Sequence, residues 1–149
     1  MYAHRVHDPG LLLAFSATHY CVLMPRACLI LRPDTPAPDA LSLLREARWS
    51  SISIITAHNP HATPATPQAN AHAHARLLTL TEHLADRRLP SINRDPSRRW
   101  PDEPGLALPD LNIVEATALA RSLGQIAFIH ATIPAHATDP HDPPRLVWC

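Results

Sequence analysis

The stretch that decides the fold is WSSISIITAHNPHATPATPQANAHAHARLLTLTEHL, residues 49–84. Its first part, Ser51-Ile52-Ser53-Ile54-Ile55, is short, rich in β-branched residues and partly alternating, the pattern of a strand inside a sheet. Thr56-Ala57-His58-Asn59-Pro60 breaks that pattern, and residues 62–67, made only of Ala, Thr and Pro, predict a loop. Thr66-Pro67 then offers a hydroxyl for free N–H groups and a proline at the first helical position. From Gln68 the spacing predicts a helix to about Arg88, with an apolar stripe of Ala73, Leu77, Leu80 and Leu84. One heptad before Leu77 stands Asn70, so a carboxamide falls on the buried face in the first turn.

A helix N-terminus presents unpaired N–H groups and partial positive charge where the preceding strand ends, and ligands tend to bind outside such strand ends. Asn70 therefore has two readings. Either it meets a ligand, or it ties down the loop after Asn59, since buried amides find nearby backbone partners.

Working outward, Asp8-Pro9 resembles a cap followed by a first-turn proline and predicts a short helix over Gly10–Ala17. Tyr20–Met24 and Ala27–Arg32, parted by Pro25-Arg26, predict an antiparallel hairpin. A helix follows over Asp39–Arg48, with Ala40, Leu41, Leu44 and Ala47 on one face. Beyond the central unit, Leu89–Arg94 predicts a strand and Asp95-Pro96-Ser97 a turn. Trp100-Pro101-Asp102-Glu103-Pro104, bracketed by prolines, predicts irregular structure, with a strand resuming at Gly105–Leu108. Asn112-Ile113-Val114-Glu115 has capping-box form and opens a helix that points Ile113, Ala116, Ala120 and Leu123 inward and stops at Gly124. Gln125–Ala131 reads as a buried strand, and Leu146–Trp148 as a closing edge strand. Helices and strands are interspersed without strict alternation, and the hairpin demands antiparallel pairing. The expectation is an α+β fold: a single compact domain over residues 1–149, a mixed β-sheet with an N-terminal hairpin, and about three main helices covering it.

Composition sets the bounds. A chain of 149 residues forms one domain, and a domain of that size buries roughly two-thirds of its unfolded surface without needing disulfides or metals. Aromatics are only 5%, so the large core side chains are mainly Leu and Ile. All 13 basic residues are arginine, with 17 prolines and 3 glycines, which reads as a coding bias. Net charge is zero, so the field that draws in nucleic acid or an anionic membrane is missing, and neither partner is expected. Arg87, Arg88, Arg94, Arg98 and Arg99 alternate with Asp86, Asp95, Asp102 and Glu103, a solvated mixed-charge surface. Cys21, Cys28 and Cys149 lack C-x-x-C spacing and read as buried reduced thiols of a cytoplasmic protein. Arg5 precedes the Asp8-Pro9 interruption, and the apolar run Leu11–Phe15 is too short for a signal-peptide core or a membrane span.

With these residues in view, the chain resembles a small bacterial family known as a domain of unknown function, number 3293. An aromatic, a threonine and a tyrosine near the start are matched by Phe15, Thr18 and Tyr20. An I-T-A-x-N-P strand end is matched by Ile55-Thr56-Ala57-His58-Asn59-Pro60. The S-x-x-E-N-x-x-R helix start is met by Thr66 and Asn70, with Arg76 displaced from the family spacing. W-x-E-P resembles Trp100-Pro101-Asp102-Glu103-Pro104 with one extra residue, and A-x-x-L-A-R-x-F-G-Q-x-A resembles Ala116–Ala127. The resemblance implies one compact domain and carries no activity. Ala69 replaces the family glutamate, leaving that carboxylate no indispensable role, and Gly105 replaces a serine, which removes serine chemistry there.

Metal and nucleophile motifs are weak. His58-x-x-His61 could chelate, but His72-x-His74 puts its rings on different helix faces, and no standard ligand spacing appears. No metal or cofactor is expected. There is no G-x-S-x-G and no glycine-rich phosphate loop, so no catalytic residue is assigned. What remains is a polar set gathered by the inferred topology: Thr56 and Asn59 at a strand end, Asn70 and Arg76 on the next helix, Glu103 in the proline segment and Gln125 at a strand start. Such a set suits a small polar or anionic ligand. Two alternatives stand beside it: a protein-interaction or purely structural module, with Trp49, Trp100 and Trp148 as contact residues if exposed, and an enzyme using the same cluster.

Overall fold

The computed structural model describes residues 8–149, and Arg5 lies outside them. The strands are β1 (His19–Met24), β2 (Ala27–Leu31), β3 (Ser51–Thr56), β4 (Leu89–Arg94), β5 (Glu103–Pro109), β6 (Ala127–Thr132) and β7 (Arg145–Trp148). The α-helices are α1 (Pro9–Ala17), α2 (Pro38–Glu46), α3 (Pro67–Leu80) and α4 (Ile113–Ser122). One sheet holds all seven strands in the order β2-β1-β4-β5-β3-β6-β7. This is the expected α+β domain, with two differences: the described residues form four α-helices rather than about three, and every pairing is antiparallel. The helical connections do join parallel strands, β3 to β4 through α3 and β5 to β6 through α4. In each case an antiparallel strand is inserted between the two, so no parallel pair forms.

Two cores lie on opposite faces of the sheet. Ala40, Leu41 and Leu44 of α2 pack against Val22, Leu31 and the Ile52/Ile54 side of β3. Leu77 of α3 and Ala116 and Ala120 of α4 pack on the other face, against Ile55, Leu106, Leu108 and Phe128. β3 serves both faces because successive side chains point to opposite sides. With Leu31, Leu41, Leu44, Ile52, Ile54 and Leu77 all fully buried, and each such burial stabilising by about 1.5–3 kcal/mol, aliphatic packing dominates the stability.

Three local expectations are corrected. The third helix stops at Leu80 rather than near Arg88, because the Thr81 hydroxyl donates to the Leu77 carbonyl (2.8 Å) and Arg88 Nη1 donates to the Leu78 carbonyl (2.8 Å). The first is a second donor to a carbonyl that already accepts the Thr81 N–H, the second caps the Leu78 carbonyl, and Leu80 is left 41% exposed. Glu103 and Pro104 are in β5 rather than in an irregular segment. Pro104 lies one residue beyond the last β3–β5 pair, Thr56–Gly105, so no ladder donor is missed on that side, and its carbonyl accepts from the Thr56 hydroxyl (2.8 Å). Finally, Cys28 is exposed rather than buried, because edge strand β2 turns its alternate residues to solvent, while Cys21 is buried and Cys149 half-buried. Gly105 is fixed by close approach: a Cβ there would lie 2.5 Å from the Ile55 carbonyl oxygen.

Candidate functional site

The loop after β3 turns back sharply, with Asn59, His61 and Ala62 all at positive φ (49°, 61° and 54°). Asparagine and histidine tolerate that region, whereas Ala62 is held there against its preference, the kind of local strain that collects near functional sites. Asn59 holds the loop. Its N–H donates to Asn70 Oδ1 (2.8 Å), its Oδ1 accepts from Asn70 Nδ2 (3.0 Å) and Ala65 N–H (2.9 Å), and its Nδ2 donates to Glu103 Oε1 (2.9 Å). The same Glu103 oxygen accepts the Trp100 indole N–H (2.5 Å). Trp100 is placed by an Asx turn, in which Asp95 accepts the N–H groups of Ser97, Arg99 and Trp100.

Facing this network across a cavity of about 490 Å³ is α1. Its sequence, PGLLLAFSA, is apolar almost throughout and none of its residues is buried. Leu11, Ala14 and Phe15 form one wall, and Phe15 meets Trp148 edge-on with centroids 5.3 Å apart. The floor is a polar row carried by three adjacent strands, since Tyr20 pairs with Asn93 and Asn93 with Glu103. Burial raises the Glu103 carboxyl above its ordinary range, while the Asn59 and Trp100 bonds pull it back. Burial, then the nearby Glu103 charge, pushes the Tyr20 phenol far up. Both hydrogen bonds to Glu103 end on Oε1, and among the described residues Oε2 receives none. Asn93 Oδ1, buried in the same row, also has no donor.

Of the six residues the sequence singled out, Thr56, Asn59, Glu103 and Gln125 line this cavity. Thr56 and Gln125 also brace the loop, the first accepting from His58 N–H (3.1 Å) and the second donating to the His58 carbonyl (3.1 Å). Asn70 is 9% exposed and its side chain is engaged with Asn59, the loop-tying reading. Arg76 is exposed on the outer side of α3, donates to the Ser122 carbonyl (3.1 Å), and is not brought to the cavity. The sequence reading did not place Phe15, Tyr20, Asn93 and Trp100 in the site. Three of them sit in the stretches that carry the family resemblance, and that was the available signal. Trp49 is core at 5% exposure.

The fold and cavity define a small antiparallel α+β domain with an aromatic-walled, carboxylate-floored pocket at one end of its sheet. Residues 55–128 match the family described as "Protein of unknown function (DUF3293)", the family that the sequence resembles. The match takes in Thr56, Asn59, Trp100, Glu103 and Gln125 but not α1 or Tyr20. Comparisons with curated proteins and with solved structures gave no significant match. Among the described residues no helix is long and apolar enough to cross a membrane.

Proposed function

We propose that this domain binds a small polar ligand in the cavity between α1 and the β1-β4-β5-β3 end of the sheet. One observation carries the reading: the bonded polar network lines an open space of about 490 Å³, a size typical of small-molecule sites, and leaves Glu103 Oε2 without a donor among the described residues. Asn59 is bonded at both ends of its amide and belongs to the frame, whereas Glu103 offers a bare oxygen. The anionic half of the expected ligand class loses its support with Arg76 placed elsewhere. The three cysteines are free, which supports a reducing bacterial cytoplasm as the setting.

A library of small polar compounds, read by melting shift and by the indole N–H resonance of Trp100, tests this. Binders should raise the melting temperature and move that resonance, and Ala14→Trp, a bulky group on an exposed position of the wall, should abolish both effects. Hits that leave Trp100 undisturbed, or that survive the filled cavity, overturn the reading. A second reading, a protein-interaction module, draws on Leu13, 72% exposed on α1. Loss of a co-purifying protein partner on Leu13→Gln, with ligand binding absent, is the result that favours it.

A further inference from the structure

This chain has seven aromatic residues of the Phe, Tyr and Trp types. Three of them, Phe15, Tyr20 and Trp100, line this cavity, and a fourth, Trp148, packs on Phe15. The carboxylate of Glu103 is at the floor, while Asp95, at the rim, is occupied by the N–H groups of its own turn. The basic side chain among the lining residues is Arg99, which is exposed. Two acceptors in the polar row, Glu103 Oε2 and Asn93 Oδ1, have no donor among the described residues, and they sit on paired residues of β4 and β5.

Acceptors without donors, negative charge and aromatic faces together select one kind of head group. An anion would meet Glu103 with only the exposed Arg99 among the lining residues to offset it. A neutral alcohol supplies a single donor. A primary ammonium supplies three donors and a positive charge, and aromatic faces attract such a cation. The apolar wall of α1 suits a hydrocarbon body.

We propose that the ligand of this cavity is a small primary amine with an apolar body, its ammonium group bonded to Glu103 Oε2 and Asn93 Oδ1 beside Trp100 and Tyr20. This rests on the cavity being a ligand site, and the test separates the two claims. The probes are 2-phenylethylamine, 2-phenylethanol and 3-phenylpropionate, three similar bodies with cationic, neutral and anionic heads, titrated into the full chain and followed at the Trp100 indole resonance. The amine should bind at least tenfold more tightly than either of the others. Glu103→Gln keeps an oxygen for Asn59 and Trp100, so it should melt cooperatively, lose at least tenfold in amine affinity and leave the alcohol unchanged. Asn93→Asp, which adds a charge to the same row, should tighten amine binding. Preference for the alcohol or the acid overturns the amine assignment while the cavity remains a ligand site. No response to any of the three overturns both. A lysine side chain carries the same head group, so a short lysine peptide that binds more tightly than the free amine overturns the assignment to a free small molecule.

Discussion

Asn59 engages its backbone N–H and both ends of its side-chain amide, and Asn70 returns two of those bonds. Removing either amide leaves buried polar groups without partners, which costs roughly 1–3 kcal/mol. Asn70→Ala should therefore lower the unfolding free energy by about that amount in urea titrations, and a double mutant with Asn59→Ala should show the two losses to be non-additive. Full additivity would mean that the pair is not coupled. Glu103 gives a second test at this scale. Burial is the larger influence on it and raises its folded value above 4.5, so the folded chain takes up the proton before the unfolded chain does. Its contribution to stability is thus complete below 4.5 and lost as pH rises through the folded value. Glu103→Gln, which cannot ionise, should remove that decline, and an unchanged pH slope just above 4.5 would refute the assignment. The sequence already pointed to Asn70, because heptad spacing from Leu77 placed an amide on a buried face. It could not show that Glu103 would keep one oxygen free, since its donors come from Trp100 and from Asn59, 44 residues away in the chain.

Elements were legible where their signals are local, and illegible where a distant residue decides. The capping box of α4 formed as read, with Asn112 and Glu115 exchanging bonds of 2.8 and 3.0 Å. The end of α3 was misread because Leu84 continues the apolar spacing, while the actual stop depends on Thr81 bonding backwards and Arg88 folding over the last turn. Thr81→Val keeps the shape and deletes the hydroxyl, so Arg88 Nη1 loses a 3.0 Å partner and the Leu77 carbonyl a second donor. A loss of roughly 1–3 kcal/mol with an unchanged denaturant slope is expected. No loss would place the stop of this helix elsewhere. Gly105 marks the β3–β5 contact, and a side chain there has to move the Ile55 backbone. Gly105→Ser should accordingly destabilise by about 1–3 kcal/mol or more, the usual cost of overpacking.

At the scale of the whole molecule, the cavity is made by parts of the chain that no local pattern connects: α1 from the start, backed at Phe15 by Trp148, the loop after β3, the Asp95–Glu103 segment and the start of β6. That is why the polar half of the site was legible in the sequence and its aromatic wall was not. The same global packing also buries histidines. His58 and His74 stack edge-on with ring centroids 6.0 Å apart, and His130 is buried with Nδ1 2.9 Å from the Ser53 hydroxyl. Burial is the largest influence on all three and lowers each below 6.5. It is reinforced at His58 by His74, at His74 by Arg88 and at His130 by Arg145. With folded values depressed, the unfolded chain protonates first, so the stability these rings allow is present above 6.5 and lost as pH falls through their folded values. Glu103 acts with the opposite sign nearer 4.5, so the measurement belongs in the Glu103→Gln background, where only the histidine arm remains of the two. Urea unfolding at pH 7.5, 6.5 and 5.5 should show stability falling at each step. His74→Phe should shrink that fall and, because His74 Nδ1 is buried without a partner, should cost little at pH 7.5. A stability that is level between 7.5 and 5.5, or that rises toward acid, would show that these histidines are not held neutral by the fold.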